Sequence, residues 1–93
     1  MNAATEERHL ARLPLSFIAP GSTVLLAELG PEIDATQREQ LTAYGLAPQR
    51  PLTVIQHRPM TVILADEVEL ALEQGIARHI WVIPNDTLSP GGG

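Results

Sequence analysis

The chain has 93 residues, a formal charge of −5 with the histidines neutral, no cysteine and no lysine. The missing thiol excludes disulfides, zinc-thiolate sites, iron-sulfur clusters and a cysteine nucleophile, and the scattered arginines (Arg8, Arg12, Arg38, Arg50, Arg58, Arg78) form no basic face for nucleic acid. Pro14 and Pro84 as fold edges leave roughly 70 to 75 residues for one small domain, and its core must be aliphatic because Phe17, Tyr44 and Trp81 are the only aromatics.

In chain order, residues 1–12 read as an N-terminal tail. Thr5 to Arg8 can cap a short helical turn carrying Leu10 and Leu13, too short to be stable alone. The domain is expected over 13–83. Pro20-Gly21 is a turn signal after Leu15 to Ile18, so Phe17 or Ile18 is expected to plug one end of the core. Ser22 to Leu29 alternates as a strand, with Val24, Leu26 and Glu28 on one face, and Gly30-Pro31 stops it.

Asp34 with Gln37, or Thr36 with Glu39, offers a capping box, so a helix begins between Asp34 and Gln37 and ends at Gly45. Leu41 and Tyr44 share its apolar face. Leu52 to His57 is a second strand, broken by Arg58-Pro59, and Met60 to Ala65 is a third. Asp66-Glu67 turns tightly into Val68 to Leu72, a fourth. Glu73 to Arg78 reads as a helical turn and His79 to Ile83 as the last strand, with 84–93 a disordered C-terminal tail.

One helix among five strands cannot form a parallel α/β domain, since each crossover would need its own helix. The expected fold is mainly β: a small five-stranded SH3-like barrel with one short amphipathic helix. The expected core is Leu41, Tyr44, Leu46, Val54, Val62, Leu70, Leu72, Ile80 and Val82.

Members of the FeoA family carry a proline-glycine turn, a helix ending in leucine, glycine-leucine and proline, a leucine-rich strand and a final Ala-x-x-Ile-x-Val. Pro20-Gly21, Leu41, Gly45-Leu46, Pro48, Leu70, Leu72, Ala77, Ile80 and Val82 stand in that order here, from about Leu15 to Val82. The chain resembles that family, whose members are small cytoplasmic accessory domains of bacterial ferrous iron uptake. The resemblance implies a non-enzymatic protein that docks on the cytoplasmic side of the membrane transporter FeoB. There are two departures: Gln49 stands where the family has glycine, and the loop at Arg58-Pro59 is shorter than usual.

Reactive chemistry is sparse. A metal site needs three or four convergent ligands, and His9, His57 and His79, with Asp66, Glu67 or Glu69 as oxygen donors, suggest surface or capping histidines instead. No phosphate-binding glycine pattern and no serine-histidine pairing is present. Neither a cofactor nor a bound metal is expected. Apolar runs such as Val24 to Ala27 are far short of the roughly 20 residues a membrane helix needs, and 1–12 lacks a leader's apolar core, so a soluble chain without membrane insertion is expected, and the family resemblance implies the cytoplasm.

The expected partner contacts are Arg38, Tyr44, Leu46 and Pro48 around the helix end, the Arg58-Pro59 loop, and Trp81. An outward Trp81 is either a partner anchor or packs under the N-terminal tail. Two other readings stay open. One is an SH3-like regulatory module similar to the C-terminal domain of iron-dependent repressors. The other is a ubiquitin-like carrier, suggested by Gly91 to Gly93, although such carriers begin with a hairpin before the helix.

Overall fold

The computed structural model describes residues 12–84. The expected tails, 1–12 and 84–93, thus lie almost wholly outside the described residues. Six strands and two helices follow in order: β1 (Leu13–Pro14), a 3₁₀ turn (Leu15–Phe17), β2 (Thr23–Leu29), α1 (Ala35–Ala43), β3 (Pro51–Gln56), β4 (Thr61–Ala65), β5 (Val68–Leu72), α2 (Gln74–Ala77) and β6 (Ile80–Pro84). All strand pairs are antiparallel, in the order β1-β6-β2-β3-β4-β5.

The fold is mainly β and SH3-like, as the sequence suggests, with two corrections. A sixth strand is present, because Leu13 and Pro14 pair with Val82 and Trp81. The sheet is also open, with β1 at one edge and β5 at the other.

Local chemistry sets α1. The Asp34 carboxylate accepts the amide of Gln37 at 2.8 Å, one of the donors a helix start leaves unpaired. At the other end Gly45 takes φ 109°, and the amides of Leu46 and Gly45 return to the carbonyls of Leu41 and Thr42 at 3.0 Å each. This closure needs a left-handed residue, which glycine supplies without a Cβ penalty. Leu41 and Leu46 are both buried beneath it.

Two bulges break the alternation of the strands. Leu26 pairs with Val82 but Glu28 with Trp81, so the extra residue Ala27 turns Glu28 outward. Strict alternation would have buried that carboxylate beside Val24. Likewise Val54 pairs with Ile63 and Gln56 with Val62, so Ile55 is the extra residue, and Gln56 is exposed while His57 turns inward.

The core gathers Leu15, Ile18, Val24, Leu26, Ile33, Leu41, Leu46, Leu52, Val54, Ile63, Ala65, Leu72, Ala77, Ile80 and Val82. Ile18, not Phe17, plugs the end, and Phe17 is 74% exposed. Three expected core residues are displaced. Tyr44 is 52% exposed at the helix end, Leu70 packs half-buried at the margin, and Val62 is half-buried because Ile63 points inward in its place.

Candidate partner surface

The two expected clusters of partner contacts separate into exposed groups and buried supports. The guanidinium of Arg38 donates to three backbone carbonyls, Leu29 at 2.9 Å, Gly30 at 2.9 Å and Ile33 at 2.8 Å. These oxygens belong to the end of β2 and the loop into α1, so the side chain pins the helix to the sheet. Its placement as a free basic contact is corrected accordingly. Leu46 is only 1% exposed and presents nothing to a partner, a second correction.

Tyr44, Pro48, Arg58 and Pro59 are exposed at the surface, and the Arg58-Pro59 bond is cis. Tyr44 lines a groove of about 320 Å³ between α1 and β5, with Leu41, Met60, Leu70, Leu72 and Ile76 as its other apolar walls. Met60 directly follows Pro59, so the helix end and the β3–β4 loop meet at this groove. Sequence patterning missed the groove because its walls come from four separate elements.

Trp81 lies elsewhere. Ile80 and Val82 are fully buried, so Trp81 faces outward, where it pairs across the sheet with Pro14 on one side and Glu28 on the other. Its indole is half-buried. Arg12 bonds Glu28 at 3.1 Å across the same outer face. Three strands lie between β6 and β5 in the sheet, so Trp81 is not part of the groove.

The histidines do not converge on a metal. His57 Nε2 lies 2.6 Å from the Ile18 carbonyl and its Nδ1 3.0 Å from the Thr61 hydroxyl, whereas His79 Nδ1 lies 3.3 Å from a Glu32 carboxylate oxygen. Asp66 is bonded to Arg50, and Glu67 and Glu69 are exposed. Among the described residues no three histidine or carboxylate side chains stand together as a ligand set. His9 lies outside them. No described helix is long and apolar enough to cross a membrane.

The position that departs from the family pattern has a distinct backbone. Gln49 takes φ 71°, the left-handed region that glycine enters freely, and its amide bonds the Leu26 carbonyl at 2.7 Å. This turn joins the helix end to β3 and fixes it against β2.

Comparison with known proteins gives a consistent picture. A crystal structure of an iron uptake regulatory protein, FeoA, is 26% identical, with a TM-score of 0.65 over 77% of this chain and 94% of that one. The FeoA protein of Chlorobium tepidum is 19% identical, with a TM-score of 0.71 over 77% of this chain and 70% of that one, a likeness of fold. A manganese-dependent transcriptional repressor is 20% identical, with a TM-score of 0.70 over 78% of this chain but only 36% of its own. No curated protein matches the chain. The FeoA domain model matches residues 13–84, the whole described fold apart from Arg12, and the chain therefore belongs to the FeoA family.

Proposed function

We propose that this protein is a non-enzymatic accessory domain of ferrous iron uptake that works in the cytoplasm by docking on FeoB. The observation that carries the reading is the FeoA domain match across residues 13–84. The family is one of small accessory domains, and the surface groups here suit recognition better than catalysis. Tyr44, Pro48, Arg58 and Pro59 offer a restricted backbone, an aromatic ring and isolated positive charge on an acidic protein, with Trp81 as a separate anchor. Arg38 and Leu46 serve this surface by holding the helix end in place.

The test is co-purification of the full chain with detergent-solubilised FeoB, together with ferrous iron uptake in cells with and without the protein. Stoichiometric capture and altered uptake are expected. Absence of both overturns the reading.

The repressor likeness supports a second reading, a regulatory module acting on a DNA-binding partner, since the matched third of the manganese-dependent repressor shares this fold. Capture of such a partner in place of FeoB would favour it. The ubiquitin-like reading fares worse. Among the described residues no hairpin precedes α1, because β1 pairs with β6 and not with β2. Gly91 to Gly93 lie outside the described residues.

A further inference from the structure

The two-residue turn Asp66-Glu67 makes Ala65 and Val68 a hydrogen-bonded pair, and the two-residue period of an antiparallel ladder extends this to Ile63 with Leu70 and Thr61 with Leu72. The intervening residues of β5, Glu69 and Ala71, therefore aim their N–H and C=O groups away from β4. No described strand lies on that side, and among the described residues no backbone hydrogen bond outside the sheet reaches either residue. The groove described above runs along the same edge, with Leu70, Ala71 and Leu72 as one wall and Leu41 and Tyr44 at the end of α1 as the other. Gln37, Gln40 and Glu73 add polar groups to the apolar walls of the groove, and an unpaired edge beside such a groove is a template for an added strand.

Charge narrows the occupant. Glu69 lies on the strand, Glu67 in its turn and Glu73 in the groove wall, all exposed and none in an ion pair among the described residues. A second copy of β5 would bring these carboxylates against their own copies, which disfavours self-pairing.

We propose that β5 accepts an extended segment of the partner protein as a seventh strand, with an apolar side chain seated between Leu41, Tyr44 and Leu70 and basic side chains facing Glu67, Glu69 and Glu73. This rests on the docking function proposed above and names where docking occurs. Main-chain hydrogen bonds to Glu69 and Ala71 supply the register, and the groove and carboxylates supply the selectivity.

The test has two arms, both with the full chain. In the first, the probe is a blocked hexapeptide alternating lysine with valine or leucine. Its controls carry glutamate for lysine, or N-methyl groups on alternate backbone amides. Amide exchange at Glu69 and Ala71 should slow at least tenfold with the lysine peptide, and both controls should bind at least tenfold more weakly. Equal binding of the three peptides, protection at another strand, or dimerisation through β5 would overturn the proposal.

The second arm compares the wild type with Ala71→Pro for capture of detergent-solubilised FeoB. Proline removes an outward N–H, and edge strands tolerate it there. At least tenfold weaker capture with a retained thermal transition supports the proposal. Equal capture overturns the edge while leaving the accessory function standing. If the wild type itself fails to bind FeoB, the accessory function falls and the peptide arm decides the edge alone. If Ala71→Pro does not fold, the N-methylated peptide tests the same hydrogen bonds without any substitution in the protein.

Discussion

His57 Nε2 sits 2.6 Å from the carbonyl oxygen of Ile18, joining positions 39 residues apart, while Nδ1 meets the Thr61 hydroxyl at 3.0 Å. A carbonyl only accepts, so Nε2–H donates to Ile18, and in the neutral ring Nδ1 accepts the hydroxyl proton of Thr61. Thr61 is fully buried, and this bond gives its hydroxyl a partner inside the core. His57→Phe should therefore cost about 1 to 3 kcal/mol, the usual penalty for stranding buried polar groups. Urea denaturation checks the value. Adding Thr61→Val should cost less than the sum of the two single changes, because the pair acts as a unit.

Arg38 and Arg58 should respond differently to charge reversal. Arg38→Glu removes three bonds to carbonyls and turns a carboxylate toward them, so a loss of at least about 2 kcal/mol is expected. Arg58→Glu, at an exposed loop position, should stay within about 0.5 kcal/mol of wild type. Thermal melts of the two single variants distinguish them, and equal melting temperatures would refute the clamp assigned to Arg38.

The register of β4 predicts a sharp difference between neighbours. Ile63→Ala, fully buried, should cost about 2 to 5 kcal/mol. Val62→Ala, half-buried on the other face, should cost markedly less, and Leu70→Ala at the core margin should fall between them. Chemical denaturation midpoints give the order directly.

Gly30 is confined by neighbours, not by its backbone angle. A Cβ there would meet the His79 carbonyl at 2.7 Å and a Glu32 carboxylate oxygen at 2.8 Å, and Gly30 N–H itself bonds that same carbonyl at 2.7 Å. The glutamate can swing away, but the carbonyl belongs to the turn before β6 and cannot. Gly30→Ala should thus cost about 1 to 3 kcal/mol. Amide exchange should accelerate first at Gly30. Wild-type stability in this variant would show that the turn yields.

Much of this was legible in the residues. Asp34 with Gln37 marked the helix start, Gly45 its end, and Asp66-Glu67 the hairpin, because each is a local device with few alternatives. Ile63 was legible only by combining two signals. The consecutive apolar run from Val62 to Leu64 carries no alternation, but a two-residue turn with Leu70 and Leu72 inward places Ile63 on their side. A buried threonine at 61 obscured this, since nothing in the chain announces that His57 will satisfy it.

The bulges at Ala27 and Ile55 were hidden for a different reason. Neither is a glycine, and the only hint is the uncomfortable placement of Glu28 in line with Val24 and Leu26. The partner surface was half legible. Exposure at Tyr44 follows from a helix end, whereas the commitment of Arg38 to carbonyls depends on how closely α1 approaches β2, a distance no spacing encodes.

The pairing of β1 with β6 also determines where the fold begins and ends. Leu13 stands opposite Val82 and Pro14 opposite Trp81, so the backbone enters and leaves the domain side by side on neighbouring strands. Wherever this domain is inserted into or fused with another polypeptide, host segments a strand's width apart can accommodate it without being pulled open. A short linker across that gap, with new ends cut at the exposed Asp66-Glu67 turn, would give a permuted chain in which β4 and β5 are held together by their ladder instead of by a covalent turn.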